Sequence, residues 1–135
     1  MSDVFFMALR PLQPSQLYIS TEKLASVLCE FAPKQIEAVP LRRSGGHIVM
    51  TDGHTRAFAA FLSGLSEVPV VWDEDELDWE AYEICVQWCK EEGVSWVGDL
   101  VGRVLGPEEY ERLWRGRCRK MHEELTRKRG LDSGA

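Results

Sequence analysis

Five residues with polar or turn-forming character stand directly before a run of alanine and phenylalanine: Asp52, Gly53, His54, Thr55 and Arg56. A glycine permits a sharp turn and lets a ligand approach the backbone closely. If a helix begins here, its first N–H groups have no internal partners and attract an anion. The hydroxyl of Thr55 and the forked donors of Arg56 suit phosphate. The segment therefore predicts an anion site at the start of a helix.

The carboxylate of Asp52 has the wrong charge for a phosphate ligand. We expect it to hold a metal ion, to orient His54, or to accept a proton from a hydroxyl substrate. A purely structural interpretation is equally open, in which Asp52 caps the helix and Arg56 pairs with a surface acid. The residues by themselves do not separate these interpretations.

The elements that must position this segment follow from the hydrophobic pattern and from the turn residues. Strands are predicted over 4–9, 38–43, 47–51 and 68–72, with Ser44-Gly45-Gly46 as a hairpin turn. Pro69 indicates that the last of these is an edge strand, or that the proline lies at the start of the strand. Helices are predicted after an N-cap at Thr21, at the polar segment, over 79–92 and from Pro107, with 96–105 a short helix or helical turn.

This order of elements predicts an α+β fold with a small mixed sheet and a helical C-terminal third. The 135 residues suit one domain, with a core over 1–72 and a helical extension over 73–135 packed on it. The acids between Asp73 and Asp78 are expected to form a solvated linker or a helix N-terminus.

Composition narrows the classes of partner. The net charge of -6 argues against whole-protein electrostatic binding to nucleic acid or to an anionic membrane. The chain has no long apolar run and carries an acid near its start, so we expect a cytoplasmic protein without a membrane segment. The four cysteines are expected to be buried thiols; Cys85 and Cys89, four residues apart on a helix, could alternatively share a metal.

The predicted last helix carries half of the basic residues. A solvated helix face and a patch for an acidic partner or nucleic acid are both compatible with this pattern. Nucleic acid is the less favoured partner, because no series of aromatic residues is interleaved with the basic residues of this helix.

Two stretches, "PLQPSQLYIS" and "AVPLRRSGGHIVMTDGHTRAFAAFLSGLSEVPV", together resemble the N-terminal domain of the ParB/sulfiredoxin superfamily. The resemblance covers about Leu9 to Trp72, just over half of the chain. It depends on the hairpin that runs into Asp52-Gly53-His54-Thr55-Arg56, and on the Ala59-Ala60 pair, Gly64 and Val68-Pro69-Val70. It implies a nucleotide or phosphate site at the start of the helix that follows Gly53.

The branches of this superfamily differ in chemistry. Sulfiredoxins need a cysteine in a Gly-Cys-His-Arg signature, and the matching stretch from Gly53 to Arg56 has none. Chromosome-partitioning proteins, which hydrolyse CTP, carry a Glu-Arg-Arg run there and a large DNA-binding region that the acidic remainder does not match. Free serine kinases share Asp-Gly-His-x-Arg, but they place a catalytic glutamate where this chain has Gln16.

The resemblance implies ATP, ADP or CTP with Mg²⁺ as the cofactor. Asp52 would be the metal ligand, Asp52 and His54 would be catalytic, and the nucleotide ligands would be Gly53, His54, Thr55 and Arg56. Arg42, on the predicted strand before the hairpin turn, is a further candidate ligand, because alternation along that strand sends one of Arg42 and Arg43 to each face of the sheet. The predicted function is binding of a nucleotide or phosphate, with phosphoryl transfer to a small hydroxyl substrate or nucleotide hydrolysis. The alternative is a non-catalytic ParB-like fold that binds a partner or nucleic acid.

Overall fold

A mixed five-stranded sheet forms the centre of the molecule in the computed structural model, which describes residues 3–30 and 36–133, with side chains to residue 130. Its strands are β1 (Phe5–Ala8), β2 (Leu12–Gln13), β4 (Val39–Ser44), β5 (His47–Met50) and β6 (Glu67–Trp72). They lie in the order β1-β6-β4-β5-β2. β1 with β6 and β4 with β5 are antiparallel, whereas β4 with β6 and β2 with β5 are parallel. A second, two-stranded parallel sheet pairs β3 (Ile19–Ser20) with β7 (Val104–Leu105).

The helices are α1 (Thr21–Cys29), α2 (His54–Leu62), α3 (Trp79–Glu91), α4 (Pro107–Tyr110) and α5 (Gly116–Ser133). A π-helical segment, Glu111–Arg115, joins the last two. The predicted α+β fold is therefore confirmed. The hairpin turn is also confirmed, because Gly45 and Gly46 have φ angles of 53° and 81°, as a primed turn requires.

Two predicted details of the first half are wrong. The N-cap of α1 is Ser20, whose hydroxyl accepts a hydrogen bond from the Lys23 N–H at 3.3 Å, so Thr21 is already the first helical residue. β6 is an inner strand rather than an edge strand. Pro69 is tolerated because it lies opposite Phe6, while pairing with β4 begins only at Val70. A missing N–H at that position disturbs little of either ladder.

The segment predicted as a short helix between residues 96 and 105 is only partly helical. Val97–Leu100 form a 3₁₀ turn, and the chain then extends into β7 beside β3. The C-terminal third thus contributes a strand as well as helices. Its buried side chains, such as Cys85 and Trp114, belong to one hydrophobic cluster with Phe58 and Val70 from the first half.

The cysteines follow the packing interpretation at two positions. Cys85 and Cys89 are buried as predicted, and Cys118 is half-buried. The prediction is wrong at Cys29, which is exposed at the end of α1. Within the described residues, no group of three or more His, Cys, Asp or Glu side chains could hold a metal ion.

Helix α5 carries most of the basic residues of the C-terminal third, and many of them are paired with acids. Arg117 lies 3.2 Å from a carboxylate oxygen of Glu92, and Arg129 lies 2.8 Å from Asp78. Asp78 also caps α3, which confirms the predicted helix N-terminus at the end of the acidic run. Over the part of the chain that the structure describes, no helix is long and apolar enough to cross a membrane.

Candidate functional site

The turn between β5 and α2 is built around Gly53. This residue has a φ of 74° and occupies the N-cap position of α2. The Asp52 carboxylate accepts a hydrogen bond from the Gly53 N–H at 2.8 Å, outside the helix. Asp52 is therefore not the helix cap, and among the described residues no side chain caps the first turn of α2. The amides at this helix start remain oriented outward.

Thr51 fixes the position of this turn. Its hydroxyl donates to the Asp73 carboxylate at 2.6 Å, and its N–H donates to the carbonyl of Pro40 at 3.0 Å. The hydroxyl of Tyr82 on α3 donates to the Thr51 carbonyl at 3.1 Å. The turn is thus held from β4, from the acidic segment and from α3.

His54 connects α2 to the first loop of the chain. Its side chain is only 4% exposed, and Nε2 accepts a hydrogen bond from the Ser15 N–H at 3.0 Å. Burial lowers the pKa of His54 from 6.5 to about 4; the nearby Asp52 raises it and Arg56 lowers it further. The ring is therefore neutral at pH 7 and carries its proton on Nδ1. Because Nε2 is occupied, any proton transfer by His54 would have to use Nδ1.

Arg56 folds back over the start of its own helix. A Cβ placed on Gly53 would lie 2.7 Å from Nη2 of Arg56 and 3.2 Å from its Nε, so the guanidinium packs directly on the glycine. Nη1 lies 2.7 Å from a carboxylate oxygen of Glu37, as the structural interpretation of Arg56 predicted. The buried Nε, however, has no hydrogen-bond partner among the described residues. A buried donor of this kind is costly unless an acceptor arrives.

These residues meet in one cavity of about 470 Å³. The whole segment from Asp52 to Arg56 lines it, together with Gln16 of the first loop. The remaining lining residues come from α1 and from the segment before β4: Lys23, Ser26, Val27, Glu30, Ile36 and Glu37. The structure thus brings the first loop and the polar segment together.

The charges in the cavity are mixed. Lys23 and Arg56 provide positive charge, and Glu30, Glu37 and Asp52 provide negative charge. Glu37 is 81% exposed, so its ion pair with Arg56 contributes little and yields readily to a stronger anion. Asp52 is exposed. Sites that bind Mg²⁺ together with a phosphate ligand use only one or two protein carboxylates, and Asp52 could supply one.

The Gln16 side chain is held by one hydrogen bond to a nearby residue and one to a residue far along the chain. Its amide nitrogen donates to the carbonyl of Tyr18 at 2.8 Å and to the hydroxyl of Tyr110 at 3.2 Å. Both amide hydrogens are therefore used. Tyr110 lies in α4, so the C-terminal third supports a residue that lines the cavity. In the sequence Tyr110 is one apolar position of a helix and gives no signal of this contact.

Arg42, predicted from the sequence as a candidate nucleotide ligand, does not line this cavity. Its Nη2 donates to the carbonyls of Asp73 and Asp75 at 2.9 and 2.6 Å, and its guanidinium lies 5.6 Å from the centre of the Trp79 ring. The loop after β6 thus captures this side chain. Arg43 lies over Trp72 at 4.6 Å. The basic residue that the sequence interpretation missed is Lys23, whose spacing on α1 resembles that of an ordinary solvated lysine.

Comparisons with known proteins add little to this description. The chain matches no protein-family model and no curated protein. Among solved structures, it is similar to the protein Atu1540 from Agrobacterium tumefaciens, with 13% sequence identity and a TM-score of 0.47. That alignment covers 71% of this chain, which spans about half (51%) of the Atu1540 chain.

Proposed function

We propose that the cavity at the start of α2 binds the phosphate groups of a small ligand. The observation that carries the proposal is the buried Nε of Arg56, which lacks an acceptor among the described residues. An anionic oxygen at this position would accept from Nε and from the outward N–H groups of the first turn of α2. Thr55 and Lys23 line the same cavity and offer further donors.

A nucleotide is the ligand class that the ParB/sulfiredoxin resemblance implies, with ATP, ADP and CTP as candidates. The cavity volume of about 470 Å³ lies within the range of small-molecule sites. Asp52 and Glu30 would repel free phosphate, and Mg²⁺ carried with the nucleotide would offset that repulsion. Asp52 is our candidate for the contact with this ion or, alternatively, with the acceptor.

If the bound nucleotide transfers a phosphoryl group, Asp52 is the residue best placed to accept a proton from a hydroxyl substrate. Asp52 is exposed, and its carboxylate accepts a hydrogen bond from the neighbouring Gly53 N–H. His54 is better placed to position the first loop than to move a proton, because its Nε2 is bound to Ser15. This reassigns one of the two residues predicted to be catalytic.

Isothermal titration with ATP, ADP, CTP and inorganic triphosphate, each with and without Mg²⁺, tests the proposal. We expect Arg56→Ala to weaken binding by about 10–100-fold, because a charge-assisted hydrogen bond is lost. Arg127→Ala removes an exposed arginine of α5 and serves as the matched control. Absence of binding to all four compounds at millimolar concentration, or equal affinity of the Arg56→Ala and control variants, would contradict the proposal.

A non-catalytic binding module is the second candidate, and the position of Gln16 favours it. A glutamine cannot take a proton from a hydroxyl, and the amide hydrogens of Gln16 already bind Tyr18 and Tyr110. Product analysis with each nucleotide, alone and with free serine or related small alcohols, separates the two. Nucleotide binding without product would identify a binding module, whereas a phosphorylated alcohol or released phosphate would identify an enzyme.

A further inference from the structure

Strand β1 lies at one end of the five-stranded sheet, and in the described part of the chain it pairs only with β6. The N–H of Leu9 donates to Ser66, next to β6, at 2.9 Å. Backbone groups alternate in direction along a strand, so those of Phe5 and Met7 also face β6. The N–H and C=O groups of Phe6 and Ala8 therefore point away from the sheet, and the same alternation continued by one residue beyond β1 turns those of Val4 outward as well. Proline opposite Phe6 agrees with this alternation, because that pair needs no mutual hydrogen bond.

Nothing in the strand blocks pairing along this outer edge. Natural edge strands are protected by lysines, prolines or bulges. The sequence Val4-Phe5-Phe6-Met7-Ala8 contains no charge, proline or glycine, and its register with β6 is one-to-one from Phe5 to Ala8. The Phe6 side chain is 67% exposed and that of Val4 is 59% exposed. The edge is thus regular, apolar and accessible.

We propose that β1 is a self-association edge, at which a second copy of this chain adds its own β1 antiparallel about a two-fold axis at Phe6. In this register Phe6 faces Phe6 of the second copy, and Val4 and Ala8 face Ala8 and Val4 of the second copy. Each of these pairs exchanges two backbone hydrogen bonds, so every outward group of the strand is used. The proposal does not depend on what the cavity at α2 binds.

The edge fits a second copy better than an unrelated peptide for two reasons. The outward residues are spaced symmetrically about Phe6, so an identical strand matches both their number and their register. Apolar side chains meet apolar side chains across the axis, with Cβ atoms about 5 Å apart, and no like charges are opposed. The Phe6 rings, which are the most exposed aromatic groups of the strand, would cover one another.

The size of this contact sets its strength. The four residues of β1 together with Val4 span roughly 17 Å, and pairing along this length buries less than the ~1,200 Å² expected of a stable interface. We therefore expect a reversible dimer with a Kd between about 10 μM and 1 mM.

Sedimentation velocity from about 1 μM to about 1 mM measures this equilibrium. We expect Phe6→Lys to weaken the dimer by at least about tenfold, because two ammonium groups would meet at the axis. Val101→Lys replaces an apolar residue of similar exposure (59%) on the turn before β7 and should leave the dimer unchanged. Phe6→Pro provides a second disruption, because it removes only the outward N–H of an edge position.

The outcomes divide clearly. A wild-type chain that remains monomeric over the whole range overturns the proposal, and so does a Phe6→Lys variant that folds and dimerises as tightly as the wild type. In a Cys29→Ser background, Phe6→Cys should form a covalent dimer with a mild thiol oxidant such as oxidised glutathione. A yield of covalent dimer from Phe6→Cys no higher than that from Val101→Cys in the same background would overturn the two-fold axis at Phe6.

Discussion

Replacement of Gly53 by alanine should separate the shape of the α2 start from its chemistry. Gly53 has a φ of 74°, and an added Cβ would lie 2.7 Å from Nη2 of Arg56. Backbone strain in the left-handed region costs about 1–2 kcal/mol for a residue with a Cβ. For a domain of this length, that loss corresponds to a fall in Tm of about 4–7 °C. The guanidinium must also move, which is cheap for a flexible side chain but takes Arg56 off the glycine.

The expected consequence for binding is larger than the consequence for stability. With Arg56 displaced, affinity for triphosphate should fall by about 10–100-fold, as in Arg56→Ala. The double variant Gly53→Ala/Arg56→Ala should bind no more weakly than Arg56→Ala alone, because each change removes the same contact between Arg56 and the anion. Isothermal titration and thermal unfolding of the same samples measure the two effects.

Gly64 supplies the matched control. Its φ is 85°, and among the described residues no atom lies within 4 Å of a Cβ placed there. Gly64→Ala should therefore lower Tm by a similar amount and leave phosphate affinity unchanged. Wild-type affinity in Gly53→Ala, or an equal loss of affinity in Gly64→Ala, would refute the assignment of Arg56 to the anion site.

Two further predictions concern neighbouring groups. Glu37→Gln removes the carboxylate that competes for Arg56, so triphosphate affinity should rise by about two- to fivefold, within the range of an exposed ion pair; a fall in titrated affinity would contradict this. His54 has a folded-state pKa of about 4, below the ordinary 6.5, so the unfolded chain takes up the proton first as the pH falls. Its contribution to stability is complete above pH 6.5 and is lost towards pH 4, by at most about 3 kcal/mol. Urea unfolding at both pH values should show a smaller loss in His54→Gln; an identical loss would contradict the assignment.

Much of the fold could be predicted because local signals agree with one another. Gly45-Gly46 specifies a hairpin turn, Gly53 and Gly64 bound α2, and alternation sets the strands on either side. The position of the strand that contains Pro69 was misjudged. A proline in the sequence shows that a backbone N–H is missing, but it does not show which side of the strand that N–H would face. Only the pairing of β6 between β1 and β4 shows that the missing group disturbs little.

The candidate site shows the same division. The segment from Asp52 to Arg56 predicted an anion site from residue types alone, and the structure places all of it in one cavity with Gln16. The position of the Arg42 side chain could not be predicted, because it depends on the carbonyls of Asp73 and Asp75, which are more than thirty residues away. Lys23 was missed for the complementary reason, since a helical lysine carries no signal of the cavity that it borders.

The sequence alone determined what is local: the glycines that turn the chain, the apolar faces that form the core, and the donors gathered at the start of α2. Tertiary structure decided what depends on distant partners. In the folded chain the Ser15 N–H donates to Nε2 of His54, and the Gln16 amide donates to the Tyr110 hydroxyl. Nε of Arg56 is buried without an acceptor among the described residues. The physical reason is that hydrogen-bond partners and burial are properties of the packed chain, whereas turn and helix signals act over a few residues.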